Sequence, residues 1–402
     1  MSAGRKHAGT PVEVLAAAWR LGVTSFGGPI AHLGYFHQEY VVRRKWLEEK
    51  TYADLVALCQ MIPGPASSQL GIAIGIHRAG ALGGLAAWAG FTLPSAAALV
   101  AFAMLAHGPA VALSGWLHGL MVVAVAVVAQ AVWTMARSMA SDAPRASIAF
   151  AAAIIGILVP SSVTQSCLIA AGALAGLAFI RTPPGAASAP AGFPGISRTA
   201  AVACLASFGA LLLGLPALRA AVSSQWAALV DSFYRSGSLV FGGGHVVLPL
   251  LQREVVPPGW MSNATFLSGY GAAQAVPGPL FSFAAYLGAA MAPAPNGVAG
   301  ACVALAAIYL PSFLLVIGLL PFYGALRARP GVQSALSGVN ACVVGILLAA
   351  LYSPVWTSAI LKPADLALAL AAFLLLAVWK VRPWMIVIGG AIAGEALSLL
   401  LT

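Results

Sequence analysis

The chain has 402 residues and a net charge of +10, yet only 7% of it is charged against 61% hydrophobic, and its mean hydropathy is +0.94. A soluble domain carries about 25% charged residues, so a water-soluble fold is excluded and lipid must meet most of the outside. The basic residues stand singly or in small groups between apolar runs, which excludes a nucleic-acid footprint and points to topology signals and contacts with anionic membrane lipid.

Residues through Thr10 are polar and lack the apolar core of a cleavable signal peptide, so the first apolar segment is expected to insert the chain. Apolar runs follow at 14–36, 53–76, 80–106, 115–136, 146–160, 163–180 and 199–215, then at 226–251, 264–291, 297–326, 332–353, 363–379 and 384–401. A span needs about 20 apolar residues. The fold class predicted is therefore an all-α integral membrane protein with about 10–13 transmembrane helices. The 146–160 run is short, and the segments around Gly27 and Pro63 contain helix breakers, so re-entry in place of crossing stays open for them. Cys59, Cys167, Cys204, Cys302 and Cys342 all lie in apolar segments without metal-ligand spacing and read as packing residues.

If every run crosses and the N-terminus is cytoplasmic, Arg5, Lys6, Arg78, Arg137, Arg145, Arg181, Arg198, Arg253, Arg327, Arg329, Lys380 and Arg382 fall inside, as the positive-inside rule favours. One loop dissents, because Arg43, Arg44, Lys45 and Lys50 then fall outside, accompanied by Glu39, Glu48 and Glu49. The stretch 181–198 is rich in Pro, Gly, Ala and Ser and reads as a linker between an N-terminal unit, 1–180, and a C-terminal unit, 199–402.

The two units repeat one another. Arg20 matches Arg235, the Phe26-Gly27-Gly28 run matches Phe241-Gly242-Gly243, and Glu39 matches Glu254. After one dropped residue Trp46 matches Trp260, Gln60 matches Gln274, and Pro63-Gly64-Pro65 matches Pro277-Gly278-Pro279, with Leu93-Pro94-Ser95 against Leu310-Pro311-Ser312 further on. Rare residues recurring in one order over such a length imply duplication. Seven predicted crossings separate the two FGG segments, so the repeats are expected to be inverted, a signature of secondary transporters built on broken helices.

Gly and Pro at membrane depth let the backbone unwind, which lipid tolerates only around a cavity or inside protein. Unwound ends aim free N–H groups and positive dipole ends at a bound anion, so Gly27, Gly28, Gly242, Gly243, Pro63, Gly64, Pro65, Pro277, Gly278 and Pro279 are candidate substrate-binding positions. Arg20 and Arg235 join them, since a guanidinium fork suits a tetrahedral oxyanion. The alternative for each Arg is snorkelling or pairing with Glu13 or Asp231. Gln60, Gln274, Ser68 and Ser282 flank the PGP turns and either donate to an anion or satisfy freed carbonyls. Glu39, Glu254, His32 and His245 are candidates for gating or proton coupling, with structural ion pairs the alternative for the acids. Acids in or near the spans are few, which speaks against a metal cage. No phosphate-binding loop, H-E-x-x-H or G-x-S-x-G is present, so neither ATP hydrolysis of the usual kind nor enzymatic catalysis is expected. No cofactor or catalytic residue is predicted.

The FGGP element at Phe26–Pro29, the PGP at Pro63–Pro65 and their second copies, FGGG at Phe241–Gly244 and PGP at Pro277–Pro279, resemble the chromate ion transporter family in its long two-domain arrangement, over nearly the whole chain. The resemblance implies a multi-pass carrier of the bacterial inner membrane that exports chromate as an antiporter on the proton gradient and confers chromate resistance. The second half departs from the first in carrying Gly244 where the first has Pro29. Sulfate has the shape and charge of chromate, so an uptake carrier for sulfate or a related oxyanion stands as the alternative, with an anion channel behind it. The sequence also leaves a homodimer open.

Overall fold

The computed structural model describes residues 9–26, 28–105, 115–181, 196–241, 244–323, 326 and 329–401. Among them every regular element is helical, as the composition requires of a chain whose backbone must satisfy itself in lipid. Most of the predicted linker lies outside the described residues.

Helix α1 (Pro11–Thr24) starts where the Thr10 hydroxyl accepts the Glu13 N–H at 3.2 Å and Pro11 takes the first turn, a position that needs no donor. It ends at Ser25, and α2 (Gly28–Phe36) starts beyond the FGG run and continues as a π-helical turn, His37–Arg43. The two fold back on each other. Glu13, at the start of α1, lies 3.9 Å from Arg44, just past the end of α2. Helix α3 (Glu49–Met61) and the first part of α4 (Ala66–Leu105) make a second hairpin around Pro63-Gly64-Pro65. Its two ends meet where the Arg78 guanidinium stands 5.1 Å over the Trp46 ring. At Ala79 and Gly80 α4 leaves helical geometry, Gly80 at φ +67, and turns back. Gly75 and Gly83 then lie so close that a Cβ on either would strike the other's backbone. Each arm of these hairpins, at about 1.5 Å per residue, covers only about 20 Å of a hydrocarbon core about 30 Å thick. The apolar run at 53–76 is thus a helical hairpin and not one continuous helix, because positive-φ Gly64 (φ +124) reverses the chain.

Helices α5 (Gly115–Met139), α6 (Ala143–Leu158) and α7 (Ser162–Phe179) complete the first half, and α8 (Arg198–Ala221) follows with most of its surface exposed. The same order then recurs. Helix α9 (Gln225–Ser238) and α10 (Val247–Val255) flank the FGGG run, with Arg235 and Glu254 bridging them at 3.0 Å. Helix α11 (Asn263–Ala275) and α12 (Phe283–Ala290) flank the second PGP. They are folded together so closely that the Tyr286 ring covers Gly269, and the Tyr286 hydroxyl donates to the Thr265 carbonyl at 2.9 Å. The Ala292 N–H closes this hairpin on the Trp260 carbonyl at 2.8 Å. Helices α13 (Gly297–Leu319), α14 (Pro330–Ala350, continuing irregularly to Ala359), α15 (Pro363–Ala377) and α16 (Pro383–Leu401) follow.

The halves exchange their last two helices. Helix α16 packs on α5, with Gly119 against Gly390 and Gly394, and α7 packs on α14, with Gly338 against Gly172 and Gly176. Both are antiparallel seams of small residues four apart, which let backbones approach where lipid supplies no hydrophobic drive. A Cβ on Gly119 would strike the Gly390 carbonyl, and one on Gly338 the Gly172 carbonyl.

Candidate functional site

The four hairpin tips meet at the centre of the molecule. The Gly64 N–H donates to the Val240 carbonyl at 2.7 Å, and the Gly278 N–H donates to the Ser25 carbonyl at 2.9 Å. Ser25 and Val240 hold matching places before the two FGG runs, so each PGP tip is bonded to the FGG hairpin of the other half by the same contact. Both glycines have positive φ, +124 and +103, a conformation strained for other residues. Each faces the serine of the other half's Leu-Pro-Ser. A Cβ on Gly64 would stand 2.9 Å from Ser312 Oγ, and one on Gly278 2.9 Å from Ser95 Oγ.

The second arm of every hairpin begins at a tip, at Gly28, Ala66, Gly244 and Leu280, so four sets of free N–H groups and positive helix ends converge there. Around them several buried polar atoms find no hydrogen-bond partner among the described residues: Ser25 Oγ, Gln69 Oε1, Gln274 Nε2 and Ser312 Oγ. Buried polar groups are almost always satisfied, and these lie beside the tips. Hydroxyls, an amide N–H and backbone N–H groups suit the oxygens of an oxyanion. Among the described residues no group of three or more His, Cys, Asp and Glu comes together to hold a metal.

The predicted residues divide. Gly27, Gly242 and Gly243 lie outside the described residues. Gly28 takes φ +78, and a side chain there would meet open space. Pro63 and Pro65, like Pro277 and Pro279, frame the tips. His32 is buried, with Nδ1 3.3 Å from Ser67 Oγ and its ring edge-on to Phe91. His245 Nδ1 stands 2.8 Å from the Tyr270 hydroxyl. Ser68 reaches the Tyr309 hydroxyl at 3.4 Å, whereas Ser282 donates to its own tip carbonyl, Pro279 O, at 2.6 Å. Gln60 is exposed and Gln274 half-buried, so the matched amides have different surroundings.

Arg20 and Arg235 each bridge an FGG hairpin to the matching glutamate, Arg20 to Glu39 at 3.8 Å and Arg235 to Glu254 at 3.0 Å. Glu39 also accepts from Arg43 and Arg44. Arg235 further holds Asp231 at 2.8 Å, and Arg219 of α8 joins both acids. Arg235 thus pairs with Asp231 as the alternative has it, whereas Arg20 pairs with Glu39, and Glu13 goes instead to Arg44 and Arg78.

Sequence reasoning missed Gln69, which is fully buried and donates through Nε2 to the Pro63 carbonyl at 2.6 Å. The internal repeat hides it, since Phe283 stands at its place in the second half. Ser25 and Val240 act through backbone carbonyls, which no side-chain pattern reveals.

Paired helical hairpins meeting tip to tip among long apolar helices define a multi-pass all-helical membrane protein. The chain belongs to the chromate transporter family, whose sequence model matches residues 12–177 and again residues 227–395. The chromate transport protein of Cupriavidus metallidurans is 26% identical over 387 residues, covering 93% of this chain and 90% of the relative. The chromate transport protein of Pseudomonas aeruginosa is 28% identical, covering 83% of this chain and 79% of the relative. A protein of Synechococcus elongatus named "Probable chromate transport protein" is 28% identical, covering 82% and 81%. No solved structure matches the chain.

Proposed function

We propose that this chain is a secondary antiporter that exports chromate across the bacterial inner membrane on the proton gradient, and so confers chromate resistance. The observation that carries the reading is the junction of the four tips. Duplicated, mutually bonded breakers surround orphaned donors, within a family whose named relatives are chromate transport proteins. The dianion sits among Ser25, His32, Gln274, Ser312 and the helix ends after Gly28, Ala66, Gly244 and Leu280. Sulfate, of the same shape and charge, competes there.

The halves, 1–180 and 199–402, are inverted repeats joined by the 181–198 linker. Two observations support this. Beyond Ser95, which faces the second PGP tip, α4 runs on to Phe102, whose ring lies 5.7 Å from Tyr286 of α12. Helix α12 leaves that tip in the same direction, so the open end of the second half's hairpins lies on the far side of the tips from the first half's. The basic residues agree. With the hairpins re-entrant, Arg43, Arg44, Lys45 and Lys50 return to the face of the chain's start, beside Glu13 and Arg78, and the dissenting loop of the sequence reading disappears. Arg137, Arg145, Arg181, Arg198, Arg329, Lys380 and Arg382 fall on that face too, against Arg219, Arg253 and Lys362 on the other. The positive-inside rule then makes the first face cytoplasmic, with the N-terminus inside.

The test is chromate uptake into everted membrane vesicles, with and without a proton gradient and with sulfate as competitor. Gradient-dependent accumulation that sulfate reduces is expected. Its absence with verified, inserted protein would overturn the export reading.

A further inference from the structure

We propose that the open end of the first half's hairpins is a loading subsite for a tetrahedral dianion, separate from the tips and without an equivalent in the second half. The inference rests on the carrier reading above. In the first half, four guanidinium groups are joined to two carboxylates: Arg20, Arg43 and Arg44 to Glu39, and Arg44 and Arg78 to Glu13. In the second half Arg219 and Arg235 share Asp231 and Glu254, two against two. Each network has two acids, and the first has two more arginines because Arg43 and Arg44 fall opposite Pro258 and Gly259 in the repeat. Two positive charges are left over, the complement of one dianion.

The exposures point the same way. The Arg20 and Arg43 side chains are 56% and 51% exposed, against 33% and 24% for Arg219 and Arg235. Arg20 holds Glu39 only at 3.8 Å, and so long and open a pair is weak in water. Its guanidinium can therefore turn to a ligand while Arg44 keeps Glu39 at 2.7 Å. Arg44 and Arg78 are steadied over the Trp46 ring at 5.0 and 5.1 Å. Of the other charged groups around this end, Lys45 and Lys50 offset Glu48 and Glu49, Glu49 is bound to His37 at 2.8 Å, and Asp54 is buried within α3 with contacts of its own. Arg20 lies six residues before Phe26, about 9 Å of helix rise, so an anion released here is one short step from the tips.

The subsite raises the local concentration of chromate on the face from which it is exported, as a positive cleft does for any anionic substrate. Removing one of its charges should act on half-saturation more than on maximal rate. For Arg43→Gln we expect the half-saturating chromate concentration in vesicle uptake to rise about threefold to tenfold at low salt, with the maximal rate within about twofold and the shift shrinking at high salt. Arg43→Lys should restore the wild-type value, and Arg20→Gln serves if Arg43→Gln fails to insert. Trp46 gives a second readout in the purified full chain. Chromate absorbs where tryptophan emits, so it should quench Trp46 saturably, sulfate should reverse the quenching, and Trp46→Phe should remove that component. Wild-type uptake with half-saturation unchanged in both Gln variants would overturn the subsite and leave the carrier standing. Absent wild-type uptake would overturn the carrier, and the Trp46 titration would still decide the subsite: quenching that sulfate does not reverse, or that both Gln variants retain unchanged, overturns it.

Discussion

Alanine at Gly278 tests the tip-to-tip junction, and alanine at Gly64 tests whether its two sides are built alike. At Gly278 the backbone has φ +103, which costs a residue with a Cβ about 1–3 kcal/mol. The added Cβ would stand 2.9 Å from Ser95 Oγ, 3.2 Å from the Phe91 carbonyl and 3.3 Å from the Gly22 carbonyl. Two of these are backbone atoms of packed helices that cannot swing aside, so overpacking adds about 1–3 kcal/mol. Any lengthening of the Gly278 bond to Ser25 adds about 1 kcal/mol. A total of about 3–7 kcal/mol is a large part of the 5–15 kcal/mol that holds a typical protein folded. At Gly64 the neighbours are side chains, Gln69 Nε2 and Ser312 Oγ. There a Ser312→Ala or Gln69→Ala change should return part of the lost stability, whereas Ser95→Ala should do little for Gly278→Ala. The assay is thermal unfolding of the detergent-purified protein beside chromate uptake. Wild-type melting and uptake in both single alanine variants would refute the junction.

Three further outcomes are expected. Arg235→Ala leaves Asp231 and Glu254 buried with Arg219 alone, and it should cost about 3–5 kcal/mol in thermal unfolding. Arg20→Ala, at an open pair, should cost about 1 kcal/mol or less, and equal losses would contradict the asymmetry. Gly338→Leu drives a side chain into the Gly172 carbonyl and should prevent assembly of a monodisperse protein, as size-exclusion chromatography would report, while Gly389→Leu, where a Cβ meets open space, should be tolerated. In a cysteine-free background, Lys45→Cys should react with an impermeant maleimide from the cytoplasmic face and Lys362→Cys from the opposite one. Labelling of both from one face would contradict the inverted arrangement.

Hydropathy made the helical membrane class legible, because so few charges leave no alternative. The repeat located both tip pairs, since the FGG and PGP runs recur in one order with Arg, Glu, Trp and Gln at matching places. It did not reveal that the tips are turning points. The 53–76 run is long enough to cross, and only the backbone angle at Gly64 distinguishes a broken span from a hairpin. The crossed bonding of Gly64 to Val240 and Gly278 to Ser25 involves main-chain groups, which are the same in every residue and carry no signature. Arg20 and Arg235 were legible as a pair, with their acids Glu39 and Glu254 visible in the same alignment. The unequal charge of the two networks comes from Arg43 and Arg44, which fall opposite Pro258 and Gly259, whereas Arg78 and Arg219, one to each network, join from distant segments that the repeat does not match.

The exchanged seams also bear on how the chain is made. Gly119 is synthesised long before Gly390, the residue it packs against. At about 5–20 residues per second the ribosome needs roughly a quarter of a minute or more to supply the missing partner. Until then α5 stands in the bilayer with its glycine face uncovered, open to lipid, to quality-control proteases or to the same face of another nascent chain. Translation that stops short of α16 therefore leaves the glycine face of α5 without its partner, so α16 acts as the clasp of biogenesis.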